Sequence, residues 1–99
     1  MTNDELEEMR RVSLRAVDHY GIEHQYWKAV EEMGELIVEI ARRQDKRSPI
    51  ENLREELADV QIMCEQLRIM AGAKETDGWI RRKLERLRGI MRLPGRRSE

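Results

Sequence analysis

Between Ile50 and Ala71 apolar side chains recur at Ile50, Leu53, Leu57, Val60, Cys64, Leu67 and Ala71, in alternating steps of three and four without a break. That period belongs to an α-helix with one apolar face; a half-buried strand would alternate every second residue. A stripe of this length has to be covered, so the rest of the chain must supply helices with stripes of their own. Its composition suits them, since Glu, Arg, Leu, Met, Lys, Gln and Ala dominate and β-branched residues are sparse. With 99 residues there is material for one core, because two would each be too small to hold together.

Glycine, proline and capping residues predict four helices. The first runs from about Asn3 to Tyr20, with Thr2-x-x-Glu5 as a capping box and Gly21 as its stop. The second runs from Ile22 to about Asp45, with Ile22, Tyr26, Ala29, Met33, Leu36 or Ile37, and Ile40 on one stripe. The third is expected to take Ser48 as N-cap, Pro49 as first helical residue and Glu51 as capping-box partner, and to end near Ala71 before Gly72. The fourth is expected from about Asp77 to Arg92, capped by Thr76 and stopped by Leu93-Pro94-Gly95. It carries two adjacent stripes, Ile80-Leu84-Leu87-Met91 beside Trp79-Lys83-Arg86-Ile90. The expected architecture is an all-α, four-helix bundle-like protomer in a single domain over 1–95, with 96–99 as a tail. A second apolar edge on the fourth helix serves an oligomer better than a monomer, so at least a dimer is expected, a dimer or a tetramer.

Other classes are disfavoured. The 19 Lys and Arg nearly balance 20 Asp and Glu, against the one-sided charge of a general nucleic-acid or membrane binder. No apolar run approaches the length of a transmembrane helix, and the acidic N-terminus is unlike a signal peptide. The single cysteine, Cys64, can form neither an internal disulfide nor a zinc site alone; its place in the stripe predicts a core residue. A cytoplasmic protein is expected.

The acids carry the functional signal. At 100° per residue, Glu32 and Glu35 fall about 100° and 160° to one side of the second helix's apolar stripe, and Glu56 and Asp59 about 70° and 130° to the same side of the third. Each pair is spaced i, i+3 and projects from one ridge. Antiparallel packing of the two helices would bring four carboxylates to one groove. Such acids repel unless a cation lies among them, and oxygen-only ligation favours Mg²⁺, then Mn²⁺. Taken singly, either pair in a chain this rich in charge is usually just a solvated helix face.

The run Gln25-x-x-Lys28-x-x-Glu31-Glu32-x-x-Glu35-Leu36, followed by Glu55-Glu56-Leu57-Ala58-Asp59-Val60, resembles the MazG-like nucleotide pyrophosphohydrolases. That all-α superfamily is marked by Glu-x-x-Glu, a spacer and Glu-x-x-Asp, which Glu32, Glu35, Glu56 and Asp59 match. The resemblance spans roughly Ile22 to Leu67, and more loosely Lys83 to Leu87. It implies Mg²⁺-dependent cleavage of a nucleoside triphosphate between the α and β phosphates, giving monophosphate and pyrophosphate. The four acids would hold metal, with Glu35, or Glu31 beside it, as the base for the attacking water. Positive side chains must meet the outer phosphates; Lys28 comes first, then Lys83 and Arg86, and Gln25 could read a base edge.

Blander readings stand beside these. The fourth helix's basic residues also suit its own C-terminal dipole. Tyr26 is expected in the core, while Trp27 is balanced between core and base stacking. No Glu-x-x-His pair occurs, which disfavours a di-iron bundle. Two competing functions remain: a phosphoribosyl-ATP pyrophosphohydrolase with the same chemistry, and a helical interaction module without catalysis.

Overall fold

A computed structural model describes residues 1–45 and 47–94; the expected tail at 96–99 lies outside them. The described chain is all-helical: α1 (Asn3–Tyr20), α2 (Ile22–Gln44), α3 (Ile50–Ala71) and α4 (Ala73–Ile90), with no strand among the described residues. None of the helices is long and apolar enough to cross a membrane.

The helix ends follow local chemistry. Thr2 and Glu5 form the reciprocal capping box, Glu5 N–H donating to Thr2 Oγ1 at 3.1 Å and Thr2 N–H to Glu5 Oε1 at 2.9 Å. Gly21 and Gly72 turn the chain at φ 89° and 106°, a region that costs other residues a steric clash. Gly72 ends α3 and also begins α4, so α4 starts at Ala73 and Thr76 lies inside its first turn instead of capping it. Pro49, not Ser48, is the residue before α3. The Ser48 hydroxyl is drawn away by Glu39 of α2, to whose Oε1 it donates at 2.5 Å, and Glu51 pairs with Arg54 instead of closing a box. At the other end Arg92, at φ 58°, carries a Schellman turn: its N–H donates to the Gly89 carbonyl and that of Leu93 to Arg88, and the helix stops two residues short of Arg92.

The centre of the protomer is the α2–α3 hairpin. Gln25 meets Gln66 and Glu35 meets Glu56, a step of ten residues forward on one helix and ten back on the other, so the two run antiparallel. Helix α1 lies across both, mainly on α3, and α4 touches α3 alone. The last contact is held by Arg68, whose guanidinium grips Asp77 through two hydrogen bonds of 2.7 and 2.8 Å and also donates to Glu65 at 2.9 Å. Asp77's carboxyl is held below its ordinary range by those hydrogen bonds.

The core departs from the expected stripes. Its buried apolar residues are Val17, Ala29 and Met63, joined by buried Ser13, Gln25, Glu32, Glu39 and Gln66. The face α2 turns to α3 is therefore Gln25-Ala29-Glu32-Leu36-Glu39, and the expected stripe residues Ile22, Tyr26, Ile37 and Ile40 are exposed. Tyr26 is not a core residue, and Trp27 is 70% exposed. Cys64 is likewise exposed, because α3 buries Met63 and Gln66, one and two residues round the helix. Periodicity identified amphipathic helices but misassigned which face the hairpin buries.

Candidate acidic site

The site grows out of the hairpin's register. Glu32 and Glu35 stand one turn apart on α2, and Glu56 faces them from α3; one carboxylate oxygen of each lies within 4.8 Å of the others. Glu32 is buried, Glu56 half-buried and Glu35 exposed, so the cluster runs from the helix interface to the surface. Asp59, the fourth expected acid, stays outside this group of three and is exposed. Its charge is still felt. Burial first, then the charges of Glu35, Asp59, Glu32 and Glu55, push the Glu56 carboxyl above its ordinary value.

Two oxygens of the cluster are unsatisfied. Glu32 Oε2 and Glu56 Oε2 are shielded from water and have no hydrogen-bond partner among the described residues. Buried polar atoms normally find a partner, and an unpaired carboxylate oxygen is costly. On its other oxygen Glu32 meets Lys28 Nζ at 3.1 Å, with Glu31 at 3.6 Å from the same ammonium. The Glu32 contact chiefly, and the two negative charges, raise the Lys28 ammonium's pKa and hold it protonated. One lysine thus offsets part of the negative charge while leaving the inner oxygens bare.

Open space adjoins the acids on two sides. A groove of about 530 Å³ is lined by Glu31, Gly34, Glu35, Val38, Glu39, Arg42 and Glu56. A second cleft, of about 410 Å³, shares Glu31 and is lined further by Tyr20, His24, Gln25, Lys28 and Gln66. In it the Tyr20 and His24 rings stack with centroids 5.1 Å apart. Gln25 is almost wholly buried: Nε2 donates to Gln66 Oε1 at 2.6 Å, and Oε1 accepts from His24 Nδ1 at 2.6 Å. It braces the hairpin at this end.

Of the expected site residues, the structure brings together Glu32, Glu35, Glu56 and Lys28, with Gln25 one turn away. Lys83 and Arg86 are not brought there within one chain, since α4 makes no contact with α2. Glu39, Gln66, Tyr20 and His24 were not anticipated. Glu39 continues the Glu32 ridge, a visible signal, but Gln66 and the Tyr20–His24 stack follow from the register of the hairpin, which periodicity does not carry. Comparison with protein-family models, curated proteins and solved structures finds no match.

Proposed function

We propose that this protein is a divalent-cation-dependent nucleotide pyrophosphohydrolase, cleaving a nucleoside triphosphate between its α and β phosphates to monophosphate and pyrophosphate. The observation that carries the reading is the convergence of Glu32, Glu35 and Glu56, with two of their oxygens buried and unpaired. An all-oxygen donor set of this kind fits a hard cation, Mg²⁺ first and Mn²⁺ as its substitute. Glu32, Glu35 and Glu56 would hold it, with Asp59 on the same ridge as Glu56. When bound, the cation neutralises the acids and polarises the phosphate oxygens.

The chain's own residues supply the rest. A triphosphate is itself anionic, so the groove needs positive charge, and Lys28, held protonated by Glu32, is placed to meet it. Glu35 is exposed at the groove wall and in reach of solvent, which suits it to take the proton of the attacking water. Attack at the α-phosphorus then releases pyrophosphate, its charge steadied by Lys28. The cleft beside Lys28, with Tyr20 and His24 in its wall, leaves room for the nucleoside. The reading includes assembly of at least two copies and a cytoplasmic setting.

A panel of nucleoside and deoxynucleoside triphosphates assayed with Mg²⁺ or Mn²⁺ tests the activity. Pyrophosphate and monophosphate are expected for at least one of them. Cation binding without turnover on any triphosphate would turn the substrate to phosphoribosyl-ATP; neither binding nor turnover would leave a helical interaction module.

A further inference from the structure

The cleft beside Lys28 has a polar floor whose hydrogen bonds run one way. His24 Nδ1 lies 2.6 Å from Gln25 Oε1. A carboxamide oxygen only accepts, so Nδ1 carries the hydrogen in either protonation state of the ring. Gln25 Nε2 in turn donates to Gln66 Oε1 at 2.6 Å. The chain ends on Gln66 Nε2, which makes no hydrogen bond among the described residues and is not sealed from solvent. The direction is set at the His24 end, and the one carboxamide atom left without a partner is a donor.

That donor stands at the inner end of the cleft. Gln66, Gln25 and Met63 are buried, Ala16 is half-buried, and Tyr20 and His24 are exposed, so the lining runs from a closed floor to an aromatic rim. The charged part of the lining is Lys28 with Glu31, 3.6 Å apart, and Glu31 also lines the groove of the acid cluster. Gln66 lies beyond them. Its partner Gln25 is seven residues from Glu32, about 10 Å along α2, which leaves the length of a sugar and a base between the acids and the Gln66 amide. A nucleotide with its phosphates at the acids and Lys28 would bring the edge of its base to this floor.

Nucleobases divide at the group such an N–H would meet. Thymine and uracil present the O4 carbonyl, and guanine and hypoxanthine the O6 carbonyl, all acceptors; cytosine presents the N4 amine and adenine the N6 amine, both donors. A carbonyl takes the Gln66 N–H. An amine sets donor against donor and leaves a buried N–H unpaired, which a site built for hydrogen bonding penalises. We propose that Gln66, its amide oriented by the His24–Gln25 relay, makes this cleft select nucleotides whose base carries a carbonyl at that edge over those that carry an amine there. The selection rests on the proposed reading of the acidic site and adds to it the class of base.

The test compares two pairs of substrates that differ at this edge, inosine with adenosine triphosphate and uridine with cytidine triphosphate, at saturating Mg²⁺. In whichever pair is hydrolysed faster, kcat/KM should favour the carbonyl member by about tenfold or more. Gln66→Glu, assayed at alkaline pH where the new side chain is ionised, keeps an oxygen for the Gln25 N–H and exchanges the open donor for an acceptor. It should shift the preference toward the amine member. Equal wild-type rates within the pair, or a preference for the amine, overturn the selection and leave the hydrolase standing. A folded Gln66→Glu that keeps the wild-type ratio overturns it too, and the wild-type ratio does not depend on that variant folding. Should no triphosphate turn over, calorimetric titration of the wild-type chain with the same four nucleotides decides separately. Tighter binding of the carbonyl members sustains the selection without the hydrolysis; equal binding, or none, ends it.

Discussion

Replacing Glu56 with Gln should move the melting temperature in opposite directions with and without metal. In metal-free buffer at neutral pH the carboxylate is ionised against its surroundings. Burial, and the charges of Glu35, Asp59 and Glu32, disfavour the charged form. The neutral amide of near-equal size removes that penalty, so the variant melts higher than the wild type. The pH dependence has a definite sign. A carboxyl whose folded pKa lies above its unfolded value destabilises the fold above the folded pKa, and the penalty disappears as the pH falls toward the ordinary carboxylate range. The difference between variant and wild type should therefore shrink on acidification. With cation at a hundred times its dissociation constant, the wild type gains about 2.7 kcal/mol, roughly 10–20 °C for a domain of this size. If losing one of three clustered carboxylates weakens the site a hundredfold, the same cation concentration adds only about 0.4 kcal/mol to the variant, roughly 2–3 °C. Differential scanning calorimetry with chelator, and then with Mg²⁺ or Mn²⁺, reads both effects. A variant that melts lower without metal yet keeps the full metal-induced rise would refute the reasoning, since Glu56 would then be structural and the cation bound elsewhere.

Three further outcomes are expected. Glu35→Gln should lower turnover by about 10²–10⁴ even with the cation raised until calorimetric titration shows the weakened site filled; steady-state turnover restored by saturating cation would make Glu35 a ligand alone. Ser48→Ala should leave the buried Glu39 carboxylate short of a donor and cost about 1–3 kcal/mol, seen as a lower urea midpoint with an unchanged slope. Because Arg68 lowers the Asp77 pKa, its hold on α4 should persist at neutral pH and be lost as the pH falls through that lowered value; hydrogen exchange should find the first turns of α4 opening there, and in Arg68→Gln already at neutral pH.

What the sequence made legible, and what it did not, divides along physical lines. Helices and the Thr2–Glu5 cap depend on neighbours in the chain, and they stand close to where spacing and capping residues placed them. That Glu32 and Glu35 share a ridge was legible too, because residues three apart do so whatever the helix packs against; that Glu56 faces them follows from the antiparallel register of the hairpin. The burial pattern was not. A period of 3.6 says that a helix has an apolar face, not that its own chain covers it, and here α2 turns Gln25, Glu32 and Glu39 inward and leaves Val30 and Ile37 outside. Ser48 failed as a cap for a similar reason: Glu39, nine residues away, competes for its hydroxyl. The Gln25–Gln66 bond and the distance of Lys83 and Arg86 from the acids both depend on register and docking between helices, which no single helix encodes.

The central claim is that the acids direct water to the α-phosphorus of a nucleotide, and hydrolysis in ¹⁸O-labelled water tests it most directly. With Mg²⁺ and a triphosphate that turns over, the label should appear in the nucleoside monophosphate, with unlabelled pyrophosphate as the other product. Label in the pyrophosphate would place the attack on the β-phosphorus, and release of phosphate with nucleoside diphosphate would place it on the γ-phosphorus; either result contradicts the account.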